Sequence, residues 1–386
     1  MPLIVNERQL PMDANSFMTV RHLILKGTSR EIGKHLASLG QSRHNVHPRR
    51  QPSEALRIRC QREYIESRYP LHFERMKGIA DAYGLKVDDD EWDFNSLMYY
   101  MEPFGCSAVY YPPATTRSGQ GLLSRNFDFS LQTIHDQEAT EKNPAVVSNP
   151  YVMEIYPDDG YASLAMCNYD LANGVLDGIN ETGLVVTILA DDESARTYPR
   201  EPAFTRQVGL HELQIMRLIL DTCATVEEAK QALLSHRLYY AHIPLHYMIA
   251  DRSGNSFVFE HSYTNNRYHI LDGGTKPFIV SNFLLHRYED GTPLPEDDNQ
   301  FGMYTRYNKL KEKIASHADP LFSEIDAQTN NRCAYIDSSC DIPSRTLWHT
   351  VYNTGNNSMT VDFYMKDLPE GCARSETFTF QLKSNR

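Results

Sequence analysis

The sequence has no long hydrophobic run, no cluster of lysine and arginine, and no regular spacing of cysteine. Its longest apolar stretch, residues 183–190, is far shorter than the roughly 20 residues that a membrane helix needs, and is typical of a buried strand. The first residues carry Glu7, Arg8 and Asp13 before any apolar stretch, so they do not resemble a secretion signal. We therefore expect a soluble protein with no membrane partner.

The lack of a basic cluster and the lack of regular cysteine spacing exclude further classes of partner and site. A net charge of -12 with no basic run repels phosphate backbones, so nucleic acid is not an expected partner. Seven cysteines at irregular spacing suit a reducing compartment, and we predict a cytoplasmic location. Because Cys333, Cys340 and Cys372 lack paired spacing and the histidines show no HExxH pattern, we do not expect a metal site. We expect no organic cofactor either.

The chain changes character at Gly105. With 386 residues and 41% hydrophobic content it is long enough for one large or two ordinary domains. We interpret residues 1–105 as a mainly helical pro-segment or small chain, and residues 106–386 as one compact catalytic domain. Within the leader the patterns predict a strand over 17–25, a helix from 28 to 39 opened by a capping box of Thr28 and Glu31, and helices within 53–83 and over 88–100.

The second part is rich in short apolar segments separated by Pro, Gly, Asn and Asp, which favours strands. Helices interrupt them over 211–223, 226–237 and 304–316, and the last segments form a hairpin over 347–364. This order of elements predicts stacked sheets with helices on the outside.

The start of the second part brings reactive groups together. Segments 106–111 and 121–129 are predicted to be the arms of a hairpin, so that Cys106 faces the stretch from Arg125 to Asp128. Taken alone, a cysteine at the start of a strand is more often a small buried hydrophobic residue, and Arg125 with Asp128 is more often a surface ion pair. However, the Gly105 carbonyl is open to attack by the next side chain. Cleavage there gives Cys106 a free α-amine, whose pKa of about 7.7 to 8.0 suits a base.

The pair Gly-Cys at 105–106 followed by Arg-Asn-Phe-Asp at 125–128 resembles the N-terminal nucleophile (Ntn) hydrolases of the penicillin acyltransferase and choloylglycine hydrolase type. The resemblance runs from Gly105 to about Tyr364. Its further matching segments are GINETGLVV at 178–186, HYMIADRSGNSFVFE at 246–260, VSN at 280–282 and TRYNKL at 305–310.

The resemblance implies an α+β fold, a four-layer αββα sandwich, and a set of site residues. Cys106 is the implied nucleophile, Arg125 supports its thiolate, and Asp128 holds its amine. Asn282 is the implied oxyanion donor and Arg306 a second supporting arginine. A second side-chain oxyanion donor is missing, because the corresponding position falls near Ala190, which offers only a backbone N–H. Taken singly, Asn282 is equally well a turn cap and Arg306 a solvated helix residue.

These residues predict a self-processing amidohydrolase that cleaves a linear, non-peptide carbon–nitrogen bond in a small-molecule amide through an acyl-enzyme on Cys106. One alternative is an acyltransferase that moves an acyl group from acyl-CoA or an amide donor to an amine, using the same residues. A second alternative is a non-enzymatic binding protein with the same fold. A homo-oligomeric state stays open.

Overall fold

The computed structural model of the protein describes residues 2–97, 105–133, 145, 147–199, 201–263, 265–288, 291–298, 301–340 and 342–383. Two large sheets dominate them, and strands are numbered here in chain order. Across the first sheet the order is β1 (Ile4–Gln9), β2 (Arg21–Gly27), β7 (Tyr151–Pro157), β8 (Ser163–Cys167), β9 (Asp177–Asn180), β10 (Val185–Ala190), β13 (Leu245–Ala250), β14 (Ser256–Ser262) and β15 (Arg267–Asp272).

The second sheet has seven strands and contains the hairpin that begins at Gly105. Its order is β16 (Phe278–Val280), β5 (Gly105–Tyr111), β6 (Leu122–Ser130), β17 (Ser344–Asn353), β18 (Ser358–Leu368) and β19 (Gly371–Arg374), with β20 (Phe378–Gln381) also paired to β18. Two short pairs complete the strands: β3 (Arg49–Arg50) with β4 (Trp92–Asp93), and β11 (Leu210–His211) with β12 (Leu238–Tyr239).

The described part of the chain also forms helices. They are α1 (Ser29–His44), α2 (Ala55–Arg68), α3 (Pro70–Ala82), α4 (Asp192–Ala195), α5 (Pro202–Thr205), α6 (Gln214–Thr222), α7 (Val226–Ser235), α8 (Met303–Ala315) and α9 (Glu324–Asn330). Helix α6 packs on β9 and β10 of the first sheet, whereas α8 and α9 pack on the second. The predicted αββα sandwich is therefore confirmed. No helix among the described residues is both long enough and apolar enough to cross a bilayer.

Alternation along β5 explains which side chains reach the space between the sheets. Cys106, Ala108 and Tyr110 belong to the large core that both sheets share. Val109 and Tyr111 point the other way, into a smaller core under α8 and α9. Because side chains of a strand alternate between its two faces, the register of one hairpin decides that the Cys106 side chain lies between the sheets.

The leader is less helical than predicted. Strands β1 and β2 extend the first sheet, and β2 pairs in parallel with β7, which lies far along the chain. The helix expected over 88–100 is wrong for residues 88–97, and its last three residues lie outside the described part. Asp89 and Asp93 accept hydrogen bonds from the backbone N–H groups of Glu91 and Asn95 instead, at 3.0 and 2.9 Å. Such Asx contacts stabilise turns at the expense of a helix.

Other local predictions hold. The Thr28 and Glu31 capping box is present at the start of α1. Thr225 caps α7 by accepting a hydrogen bond from the backbone of Glu228. Helices α6, α7 and α8 fall within a few residues of their predicted positions, because each has a helical apolar period.

A buried ionic cluster joins the leader to the body of the protein. Asp221 of α6 accepts hydrogen bonds from Arg75 of α3 at 2.5 Å, from Arg217 at 2.9 Å, and from the Tyr69 hydroxyl. Burial alone would raise the pKa of Asp221, but Arg217 and Arg75 lower it to about 2. The leader is thus tied to the body by charges that water does not reach.

Replacing Asp221 with Asn should lower the free energy of unfolding by about 3 to 5 kcal/mol, because two buried guanidinium groups lose their counter-charge. Since the folded pKa of Asp221 is depressed, its contribution is complete above the unfolded pKa and is lost as pH falls through the folded value near 2. Urea unfolding at pH 7 and pH 3 measures both effects. Asp319→Asn, which removes an exposed pair with Arg117, is the control and should cost under about 1 kcal/mol. Equal effects of the two variants would contradict this account.

Candidate active site

The hairpin of β5 and β6 has the predicted register. Gly105 lies opposite Asp128, Cys106 opposite Phe127, and Ala108 opposite Arg125. The sequence prediction that Cys106 faces the stretch from Arg125 to Asp128 is therefore confirmed.

The Cys106 thiol contacts a buried arginine. Arg125 Nη2 lies 3.2 Å from Cys106 Sγ and donates also to the carbonyl oxygen of Ile188 at 3.2 Å. Arg125 Nη1 donates to Asp177 Oδ2 on the facing sheet, and Tyr352 donates to the other Asp177 oxygen at 2.5 Å. Cys106, Arg125 and Asp177 are all 0% exposed. The guanidinium is therefore fixed between the sheets beside the sulfur.

The backbone of Cys106 is held on both sides of its Cα atom. Its N–H donates to Asn282 Oδ1 at 2.7 Å, and its carbonyl oxygen accepts from Arg306 Nη1 at 2.7 Å. Arg306 Nη2 donates to the same Asn282 oxygen at 2.6 Å. Asn282 and Arg306 come from different elements, the segment after β16 and helix α8, and meet at one residue.

Asp128 lies against the Gly105–Cys106 bond. Its Oδ1 accepts from the Thr346 hydroxyl at 2.5 Å, and its Oδ2 accepts from Arg306 Nη1 at 3.2 Å. Burial raises the pKa of Asp128, and Arg306 opposes that shift. In the uncut chain the Cys106 nitrogen donates to Asn282 rather than to Asp128. The predicted contact between Asp128 and a free amine of Cys106 therefore stays a prediction.

Gly105 leaves no room for a side chain. A Cβ atom at this position would stand 3.1 Å from the Asp128 side chain and 3.1 Å from the Phe301 ring. Because Thr346 and Arg306 hold Asp128 in place, Gly105→Ala should displace the scissile bond. We expect cleavage before Cys106 to slow at least about tenfold, as small misplacements of reacting groups do. A time course on a denaturing gel measures it, with Gly274→Ala, where nothing lies within 4 Å, as the control. Unchanged cleavage in Gly105→Ala would contradict the packing argument.

Two opposed effects, burial and the neighbouring Arg125, set the pKa of the Cys106 thiol. We expected Arg125 to favour the thiolate, and it does lower the pKa of Cys106. Burial outweighs it, however, and raises the pKa to about 11. In the uncut chain the sulfur is therefore a neutral, enclosed thiol.

The last predicted contacts involve Ala190. Asn282 Nδ2 donates to the Ala190 carbonyl oxygen at 2.9 Å. This bond places the amide of Asn282 and the end of β10 side by side, although the oxyanion roles of Asn282 and the Ala190 N–H stay predictions. All the residues predicted from the sequence, including Gly105, thus lie in one connected group around Cys106.

Sequence reasoning missed two residues that hold this group in place, Asp177 and Thr346. Asp177 directly precedes the GIN of a matched segment, and a carboxylate within a predicted apolar strand was the available signal. Thr346 lies opposite Asp128 in the pairing of β17 with β6, where a bulge follows. That register cannot be read from the local sequence, because β17 is more than 200 residues from β6.

Two stacked sheets between helices, with a cysteine at the start of an inner strand, define the class of Ntn amidases and acyltransferases. The model of one family, acyl-coenzyme A:6-aminopenicillanic acid acyl-transferase, matches residues 115–366, more than half of the sequence. The chain belongs to this family and is an enzyme of this class. Arg125, Asp128, Asn282 and Arg306 lie within the matched residues, whereas Cys106 precedes them.

Solved structures of similar shape include three hydrolases. A mutant of conjugated bile acid hydrolase from Clostridium perfringens has 16% identity and a TM-score of 0.46, with 72% of this chain and 97% of that chain covered. Penicillin V acylase from Agrobacterium tumefaciens has 17% identity and a TM-score of 0.44, with 72% and 92% covered. The Caenorhabditis elegans ortholog of N-acylethanolamine-hydrolyzing acid amidase has 16% identity and a TM-score of 0.38, with 72% and 100% covered.

Proposed function

We propose that the protein is a self-processing amidohydrolase that uses Cys106 to cleave small linear amides. The observation that carries the proposal is that three atoms of Cys106 are each contacted by a different side chain. Asn282 binds the Cys106 nitrogen, Arg306 its carbonyl oxygen and Arg125 its sulfur. Buried strand residues ordinarily pair their backbone groups with neighbouring strands, whereas here two side chains from other elements bind the Cys106 backbone and a guanidinium contacts its sulfur.

The first reaction is the cut itself. Cys106 Sγ attacks the Gly105 carbonyl carbon, the carbon–nitrogen bond breaks, and the nitrogen of Cys106 takes up the thiol proton. Water then hydrolyses the thioester, which releases the Gly105 carboxylate and restores the thiol. Asn282 and Arg306 hold the leaving nitrogen and the next carbonyl in place during these steps.

The second reaction repeats the chemistry on a substrate. The new α-amine accepts the thiol proton and passes it to the leaving amine, and Asn282 and Asp128 orient it. The Asn282 amide and the Ala190 N–H stabilise the oxyanion, and water releases the acyl group from Cys106. A cationic amine on the same residue lowers the thiol pKa, which reverses the effect of burial in the uncut chain.

Turnover of a panel of amides tests the hydrolase proposal. We expect equal amounts of free acid and free amine from at least one simple N-alkyl amide among acyl groups from acetyl to dodecanoyl and benzoyl. Cys106→Ala should release neither product, whereas Cys60→Ala, which removes another thiol, should behave like wild type. Turnover that survives in Cys106→Ala would remove Cys106 from the mechanism.

Acyl transfer is a second candidate, because the matched family is named for an acyltransferase that uses acyl-coenzyme A. Both reactions share the acyl-enzyme and differ in whether water or an amine accepts the acyl group. Incubation with acyl-CoA and a primary amine, followed by mass spectrometry, separates them. A new amide in excess of free acid would favour transfer, and free acid alone would favour hydrolysis. The third alternative, a binding protein without activity, is not supported, since the family consists of enzymes.

A further inference from the structure

Asp192 is a buried carboxyl group whose purpose the mechanism above does not explain. It is the first residue of α4 and is 6% exposed. Both of its carboxylate oxygens are inaccessible to water and have no hydrogen-bond partner within the described part of the chain. Buried carboxyl groups without a hydrogen-bond partner are rare in proteins and are typical of sites where a ligand supplies the partner.

Two hydrogen bonds fix Asp192 beside the candidate active site. Its backbone N–H donates to the Asn282 carbonyl oxygen at 3.0 Å, while the Asn282 side chain donates to Ala190, two residues earlier, at 2.9 Å. Asn282 and the segment 190–192 are therefore locked together. A displacement of the Asp192 backbone would therefore also displace Asn282.

The position of Asp192 indicates which half of the substrate it would meet. Asn282 and Arg306 contact the nitrogen and carbonyl oxygen of Cys106, whereas Arg125 contacts the sulfur. The proton for the leaving amine comes from that nitrogen, so the leaving half of the substrate lies on the Asn282 side. Asp192 belongs to this side and is in electrostatic contact with Arg306.

Neighbouring charges do not satisfy the carboxyl group. Arg306 directs its donors to Phe301, Cys106, Asp128 and Asn282, and the exposed Arg196 forms an ion pair with Asp298. Burial raises the pKa of Asp192 to about 8, and Arg306 only partly opposes it. At pH 7 the group is therefore largely a neutral carboxylic acid, whose carbonyl oxygen can still accept a hydrogen bond.

We propose that Asp192 is a specificity-determining residue that accepts a hydrogen bond from a hydroxyl or amino group on the amine half of the substrate. This inference rests on the proposed function and adds a substrate class to it. Amides whose amine half carries a hydrogen-bond donor are preferred over isosteric amides that end in a methyl group, because the latter leave the buried carboxyl group unsatisfied.

Matched amides test this preference. With the acyl group that gives the fastest turnover, we expect the 2-hydroxyethyl and 2-aminoethyl amides to exceed the propyl amide at least about tenfold in kcat/KM. Asp192→Ala should abolish the preference and leave the propyl amide within about threefold of wild type. Asp192→Asn, which retains an acceptor oxygen, should keep the hydroxyl preference and lose most of the amino preference. Asp298→Asn, an exposed nearby aspartate, is the control and should change neither ratio.

A second measurement does not depend on the acyl group. In the cut protein, N-(2-hydroxyethyl)-2-chloroacetamide should alkylate Cys106 faster than N-propyl-2-chloroacetamide, after correction for their rates with free cysteine. Equal corrected rates for the two reagents overturn the inference. So does a failure of both reagents to label Cys106 in cut protein. A hydroxyl preference that persists in Asp192→Ala overturns it as well. A chain that never cuts overturns the proposed function instead, and a denaturing gel shows that failure separately.

Discussion

Cys106→Ala is expected to remain a single chain of 386 residues and to lack amide hydrolysis. The substitution removes the sulfur that attacks the Gly105 carbonyl and leaves the three partners of Cys106 in place. Because Cys106 is 0% exposed and a methyl group fits the same space, the fold should persist. Wild type should instead give fragments of about 105 and 281 residues, by the position of the predicted cut. Intact mass spectrometry of both proteins measures the difference.

The control for this experiment is Cys167→Ala, another buried thiol, located in β8 of the facing sheet. It should cut at the wild-type rate, because Cys167 is not next to a glycine carbonyl that it can attack. Loss of the cut in both variants would point to general damage to the core. A cut chain in Cys106→Ala would show that another group breaks the bond.

Arg306→Leu has the second largest expected effect. Arg306 is 4% exposed and donates to the carbonyl oxygens of Phe301 and Cys106, to Asp128 and to Asn282. Its removal leaves the buried Asp128 without its main cation, so the pKa of Asp128 rises further. It also removes one of the hydrogen bonds that hold the Asn282 side chain. We expect both cleavage and turnover to fall by about 10² to 10³, the range found when one preorganised donor is removed from an active site.

Rates of cleavage and amide turnover, measured together with thermal unfolding, test this expectation. Arg196→Leu is the control, since Arg196 forms an exposed ion pair with Asp298 and touches none of the Cys106 atoms. It should retain nearly full rates. If Arg306→Leu melts like wild type and cuts at the wild-type rate, Arg306 serves only the packing of α8.

The part of the site that could be predicted from the sequence is local. The hairpin pairing of β5 with β6 brings Cys106 close to Arg125 and Asp128, and alternation along the strands sets their faces. Asn282 and Arg306 were named by resemblance alone, because nothing in their own segments shows that they meet at Cys106. The order of strands and helices predicted stacked sheets with helices outside, and the four-layer αββα sandwich was implied by the resemblance.

What the sequence could not reveal depends on long-range packing. Strands β1 and β2 join the sheet through parallel pairing with β7, across more than 100 residues of chain. The thiol pKa rises because the facing first sheet buries the sulfur, and the lowering of this pKa by the neighbouring Arg125 is the smaller effect. Asp192 gave no signal either, since an aspartate after a strand is ordinarily a turn or cap residue.

Amino-terminal sequencing of the purified active protein tests the central claim most directly. If Cys106 becomes a nucleophile that carries its own base, the larger fragment must begin Cys-Ser-Ala-Val and account for the activity. Active protein in which Cys106 remains joined to Gly105 would contradict the account, whatever substrate it cleaves.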